Sequence, residues 1–265
     1  MSTSPRRARA TGRRHPLATA ALLAIGLLAT GGAYAVFTTS ATAETTAAHE
    51  QLVDEGGKLF AANCAACHGM NLEGTTEGPS LIGVGAASVE FQVATGRMPM
   101  AFSGPQAEVK PPQFTEAQIE ALYTYVAEHG AGPGIPDDKW LQGDGNAALG
   151  GEIFRINCAM CHNVAGSGGA LTEGKYAPPL TGVSALHIYE AMVTGPQNMP
   201  VFSDQNISPQ EKADLITYLQ QIEQASGVGG FTLGSLGPVS EGLFIWIIGL
   251  GGLVGITIWL TARSN

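Results

Sequence analysis

Basic residues are scarce where acidic ones are plentiful. Of the 13 Lys and Arg residues, five (Arg6, Arg7, Arg9, Arg13 and Arg14) precede the first apolar run and Arg263 stands near the C-terminal end. Seven therefore remain between Glu44 and Glu241, the stretch that holds all 22 acidic residues, for a formal balance of −15 there. With no basic stripe to neutralise phosphates, nucleic acid is excluded as a partner. An acidic face suits a basic docking partner or simple solubility. Cysteine is sparse too: there are four, and none lies outside two short motifs. No hydrolytic constellation or proton relay stands out.

Two long apolar runs frame the acidic middle. Residues 17–37 carry no charge. At about 1.5 Å per helical residue they span a hydrocarbon core of roughly 30 Å. Residues 243–260 are also apolar, with Trp246 and Trp259 near the ends, where amphipathic rings favour the headgroup level. Within this run Gly251 and Gly255 form a small-residue face suited to close helix packing. The arginines before the first run and Arg263 after the second place both termini on the cytoplasmic side, so the acidic middle falls outside the cell membrane. A signal peptide is the alternative for the first run: Ala-Thr-Ala at 41–43 resembles a cleavage site, although the apolar run exceeds the usual h-region.

The middle is an internal repeat. Gly56-Gly57-Lys-Leu-Phe60-Ala-Ala-Asn63-Cys64-Ala-Ala-Cys67-His68 matches Gly150-Gly151-Glu-Ile-Phe154-Arg-Ile-Asn157-Cys158-Ala-Met-Cys161-His162. Pro79-Ser-Leu81-Ile-Gly83-Val84 matches Pro178-Pro-Leu180-Thr-Gly182-Val183, and each copy then has a Met-Pro pair, Met98-Pro99 and Met199-Pro200. Each copy is expected to end in an amphipathic helix, one starting at Thr115 and the other at Ser208. Leu122, Thr124 and Tyr125 in the first helix correspond to Leu215, Thr217 and Tyr218 in the second. The expected organisation is a cytoplasmic basic segment at 1–16, a transmembrane helix or signal anchor at 17–37, and domains at 49–130 and 148–225. A linker at 131–147 joins the domains, and a Gly-rich tether at 226–242 leads to a transmembrane helix at 243–260. Copies this small and rich in Gly and Pro need a staple beyond hydrophobic burial.

All four cysteines lie in two Cys-x-x-Cys-His pentads, the attachment signature of c-type haem. Two thiols three positions apart add to the two vinyl groups of one porphyrin, and the adjacent histidine supplies an imidazole to the iron. Cys64, Cys67, Cys158 and Cys161 are thus expected to bind two haem c groups covalently, with His68 and His162 as iron ligands. Three other readings fit less well. Structural disulfides, common outside the cytoplasm, leave the histidine after both pairs unexplained, a zinc site needs four clustered ligands, and thioredoxin-like chemistry needs a βαβ setting. The Met-Pro pairs offer a soft sixth ligand, and His/Met ligation raises the potential and closes the iron to small molecules, which favours electron transfer. Met199 is the candidate in the second copy. Met98 is the candidate in the first, with Met100 as its competitor. His129 reads as a helix-end residue and His187 as a remote bis-His alternative. Pro79 and Pro178 lie where a backbone carbonyl would accept the proximal His N–H.

Several strings together resemble the dihaem cytochrome c subunit of the actinobacterial quinol–cytochrome c reductase, the cytochrome bc complex. They are Gly78-Pro-Ser-Leu-Ile-Gly-Val-Gly85, Thr95-Gly-Arg-Met-Pro99, Gly174-Lys-Tyr-Ala-Pro178, Thr194-Gly-Pro-Gln-Asn-Met-Pro200 and Gly237-Pro-Val-Ser-Glu-Gly242 before Trp246-Ile-Ile-Gly249. The likeness runs from about Gly56 to the C-terminus and departs at Met100. It implies a mostly α fold of two tandem class I cytochrome c domains. It also implies a cytochrome b subunit that oxidises menaquinol, a Rieske iron–sulfur subunit and a haem-copper cytochrome c oxidase as partners. On this reading the chain is a redox subunit without a quinol site of its own. A dihaem subunit of another membrane dehydrogenase or oxidase is the alternative, and a dihaem peroxidase would need one open iron.

Overall fold

The computed structural model describes residues 16–102, 104–224 and 238–263, and it is mostly helical. Residues 1–15 of the basic segment, residue 225 of the second expected domain and residues 226–237 of the tether lie outside the described residues. The chain divides into two units, one up to Gln51 and one from Leu52 onward. Helix α1 (Pro16–Asn63) is longer than the expected span: no Pro breaks it between the apolar run and the first pentad, and the Gly56-Gly57 pair is carried within the helix. Its segment Leu17–Val36 is 20 residues long and apolar enough to cross a membrane, as is the 23-residue segment Glu241–Arg263. By length and composition both are candidate membrane spans. The C-terminal helix starts earlier than expected, at Pro238, since proline is preorganised for a first helical turn.

Within the second unit the two repeats are built alike. The first contains the end of α1, α2 (Ala65–His68), α3 (Ala86–Ala94) and α4 (Glu116–Ala127); the second contains α5 (Ala147–Asn157), α6 (Ala159–His162), α7 (Ala185–Thr194) and α8 (Pro209–Gln224). Both final helices begin with reciprocal caps. The Gln118 amide N–H donates to Thr115 Oγ1 while the Thr115 N–H donates to Gln118 Oε1 at 3.0 Å. Ser208 and Glu211 repeat this, with the Ser208 N–H donating to Glu211 Oε2 at 2.8 Å. Two orphan donors are satisfied at each start.

The Gly-Gly pairs allow the pentad-bearing helix to lie against the last helix of its repeat. A Cβ at Gly56 would overlap the Ala121 carbonyl, and one at Gly150 the Asp214 carbonyl. Beside each close approach the same ring pair recurs: Phe60 and Tyr125 have centroids 5.5 Å apart at 41°, Phe154 and Tyr218 5.6 Å apart at 44°. Each repeat has its own core, one around Phe60, Leu72 and Leu122, the other around Phe154, Leu215 and Ile216.

The repeats differ in two places. The second carries a short antiparallel hairpin, β1 (Gly169–Ala170) and β2 (Tyr176–Ala177), absent from the sequence expectation. The first has a longer loop after its Met-Pro pair: Thr115 follows Met98 by 17 positions, whereas Ser208 follows Met199 by nine. That loop reaches the other repeat. Gln106 Nε2 donates to the Tyr176 carbonyl at 2.9 Å, and the Tyr176 N–H returns to Gln106 Oε1 at 2.9 Å. Helices α3 and α7 also pack together across the repeat boundary.

Candidate haem sites

Each pentad sits where a long helix breaks and one short helical turn follows. Cys64 and Cys158 occupy the break, at φ −122° and −117°. The turn is closed by the His68 N–H to the Cys64 carbonyl at 3.0 Å and the His162 N–H to the Cys158 carbonyl at 2.9 Å. Positions i, i+3 and i+4 share one helical face, so both thiols and the imidazole of a pentad are grouped by backbone geometry alone. In the first repeat a Cβ at Gly78 would stand 2.7 Å from the Cys67 carbonyl oxygen, so the following loop can pass this close only as glycine.

The histidines are oriented by proline carbonyls. His68 Nδ1 lies 2.8 Å from the Pro79 carbonyl and His162 Nδ1 2.9 Å from the Pro178 carbonyl. A carbonyl only accepts, so Nδ1 donates and Nε2 keeps its lone pair for a metal. Burial pushes the His162 pKa below its usual value, with the Pro178 carbonyl acting in the opposite sense, so the imidazole stays in its ligating neutral form. Burial, followed by the charge of the neighbouring cysteine, pushes the Cys64 and Cys158 thiols up to about 11.

In the second repeat Cys158, Cys161, His162 and Met199 line one cavity of about 800 Å³. Its other walls include Leu180, Ile188, Met192, Leu215 and Leu219. Volume and apolar lining fall in the range of cofactor pockets, roughly 300–1,000 Å³. The donor set (two thiols, one imidazole with a free Nε2, one thioether) fits a c-type haem. In the first repeat Cys64 and Met98 pack against the same core. Met100 is 36% exposed.

The remaining candidates have other partners. His129 Nδ1 donates to the Tyr125 carbonyl at 2.9 Å. His187 lines the second cavity, but its Nε2 lies 3.5 Å from Glu90 of the first repeat. Met192 is a 2%-exposed core residue, and Met70 and Met160 are exposed. Residues of the first repeat that line the second cavity, Arg97, Gln106 and Lys110 among them, escaped the sequence reading. Arg97 lies inside a quoted motif, but nothing local signals that it serves the other copy.

Two helical repeats, each with Cys-x-x-Cys-His at a helix break and a carbonyl-oriented histidine, define a membrane-associated tandem c-type cytochrome, a class that carries covalent haem c. Residues 53–130 match the model of the cytochrome c family, and residues 145–219 match that of cytochrome c oxidase, cbb3-type, subunit III. The chain is 44% identical to the cytochrome bc1 complex cytochrome c subunit of Corynebacterium efficiens, over 95% of this chain and 90% of the relative. It is 45% identical to the subunit of that name from Mycobacterium tuberculosis, over 95% and 92%. A cytochrome c-553-like protein of Synechocystis is 39% identical over 29% of this chain and 70% of the relative. The chain belongs to the family of cytochrome bc1 complex cytochrome c subunits.

Proposed function

We propose that this chain relays single electrons from a Rieske iron–sulfur centre toward a terminal haem-copper oxidase, as the cytochrome subunit of a menaquinol-oxidising reductase. Cys64 and Cys67 hold one haem and Cys158 and Cys161 a second. His68 with Met98, and His162 with Met199, are the iron ligands. Bound haem supplies a one-electron ferric/ferrous couple. The chain's own residues do the rest. The Pro79 and Pro178 carbonyls fix the histidine tautomers, the Met98 and Met199 thioethers would supply soft sulfur ligands to the iron, and the apolar walls of the second cavity would limit its access to water.

The observation that carries this reading is the direct packing of two pentad-bearing repeats across α3 and α7, in a chain of this family. Two carriers on one tethered chain make each encounter effectively intramolecular, with local concentrations in the millimolar range for short linkers. The haem domains lie on the extracytoplasmic face and the C-terminus in the cytoplasm, a reading supported by the arginines at the N-terminus and by Arg263.

Detergent-solubilised membranes should yield one assembly containing this chain, a cytochrome b subunit, a Rieske subunit and a haem-copper oxidase. It should oxidise menaquinol analogues with oxygen and no added cytochrome c. Replacing Gly251 and Gly255 by Leu should loosen the chain from that assembly while leaving its haems attached. Purification of the wild-type chain alone, or a requirement for soluble cytochrome c, defeats the bridging role. The match of residues 145–219 to an oxidase subunit favours one second reading, a dihaem subunit of an oxidase without the quinol-oxidising core. Co-purification with oxidase alone would select it.

A further inference from the structure

The wall of the second cavity has an unusual charge. Its lining includes two basic residues, Arg97 and Lys110, and no Asp or Glu, although acids outnumber bases 22 to seven in the surrounding stretch. Both cations come from the first repeat. The second repeat's own bases, Arg155, Lys175 and Lys212, are not among the lining residues. The segment that brings Lys110 there is fastened to the second repeat by the paired Gln106–Tyr176 hydrogen bonds. The Ala107 N–H adds a longer bond to Gln197 Oε1, at 3.5 Å.

Arg97 is 8% exposed, and its guanidinium lies 4.6 Å from the centre of the Phe91 ring. Among the described residues no carboxylate pairs with it and no hydrogen bond satisfies its five donors. A cation largely withdrawn from bulk water, with no counter-charge among the described residues, is costly to keep. Phe91 compensates only in part. Lys110 Nζ donates to the Pro99 carbonyl at 2.7 Å and keeps two further donors. A c-type haem brings two carboxylates on its propionate arms, and the fork of an arginine is shaped for a carboxylate.

We infer that Arg97 and Lys110 of the first repeat bind the propionates of the haem attached to the second repeat, so that this haem site is built across the repeat boundary. The inference rests on the two-haem reading above. It assigns the cations a role beyond anchoring: a positive charge beside the porphyrin disfavours the more positive ferric state, so it raises the reduction potential.

The test is potentiometric titration of the purified full-length chain, with the second haem's potential assigned by its selective fall in Met199→His. Arg97→Gln and Lys110→Gln should each lower that potential by more than any change at the first haem, whose Met98-Pro99 pair adjoins Arg97 and meets Lys110. Arg97→Lys should restore most of the loss, and Arg155→Gln, a base outside the cavity, should move neither potential. Freed from the arginine, the propionate should also make the second potential more pH-dependent. Unchanged potentials in Arg97→Gln and Lys110→Gln would overturn the inference, and so would a shift confined to the first haem. A haem count on the same samples separates the two readings: fewer than two haems on the wild-type chain sinks the dihaem assignment itself. If Arg97→Gln fails to mature, Lys110→Gln and Arg97→Lys carry the comparison with the same outcomes.

Discussion

The Glu190 carboxyl on α7, with no exposed surface, faces Glu90 on α3 across the repeat boundary. Their oxygens and a nitrogen of His187 lie within 4.8 Å of one another. Among the described residues neither Glu190 oxygen receives a hydrogen bond, so a donor arises between the two carboxyls only when one is protonated. Burial, then the hydrogen bond to Glu90, pushes Glu190 up to about 11. Burial pushes Glu90 up as well, but the bonds to His187 and Glu190 outweigh it and carry Glu90 below its usual value. Tyr123 faces the same acidic pair, and burial, Glu120, Glu90 and Glu190 in that order push its pKa up.

The pair therefore retains a proton at neutral pH, and the sign of its linkage follows. A carboxyl with a raised folded pKa contributes stability that is fully present below its unfolded value of 4.5 and is lost as pH rises toward the folded value. Glu190→Gln keeps the shape and the donor without the titration. Thermal unfolding followed by circular dichroism should find this variant little changed at pH 4 and increasingly more stable than wild type from pH 6 to 9. A constant difference across that range would mean that Glu190 does not titrate on folding.

The haem count is the most direct check on the pentads. Acid-acetone-extracted protein should retain two haems per chain in a haemochrome assay, and Cys64→Ala with Cys67→Ala should leave one. Bound zinc, or haem passing into the solvent, would contradict covalent attachment.

Met98 packs on the first core while Met100 is 36% exposed. Met98→Ala should abolish one sulfur–iron charge-transfer band and open one reduced iron to carbon monoxide. Met100→Ala should do neither. The opposite pattern would transfer the sixth ligand to Met100.

Gly150 offers a test of the packing. In an exposed helix interior, Gly→Ala gains about 1 kcal/mol from propensity. Here the added Cβ would overlap the Asp214 carbonyl, and the neighbouring helix must shift. Overpacking of this kind costs about 1–3 kcal/mol, so Gly150→Ala should be destabilising in denaturant unfolding. A stabilised variant would show that α5 and α8 separate easily.

Much of this was legible before any coordinates. The pentads and the Thr115 and Ser208 caps are local and repeated, so spacing alone exposes them. The carbonyls of Pro79 and Pro178 lie where the shared strings placed them. The length of α1 and the hairpin were missed, because helix continuation and two-residue pairing leave almost no pattern. The relations between copies were missed for another reason. Gln106 with Tyr176, Glu90 with His187 and Arg97 with the second cavity join residues far apart in sequence, and no periodicity reports such a meeting.

The longer loop of the first repeat has an evolutionary consequence. A tandem duplication starts with two equivalent halves, and either could be lost, swapped or replaced by a third copy. The loop ends that equivalence. Counted from the Met-Pro pair, the place of Gln106 is taken in the second copy by Ile207, which is buried in its own core and has no amide to offer. The clasp therefore runs one way, and its acceptor is a main-chain carbonyl that survives almost any change of side chain at position 176. Selection can hold the donor half while the receiving half drifts. The two copies are complementary parts rather than interchangeable ones.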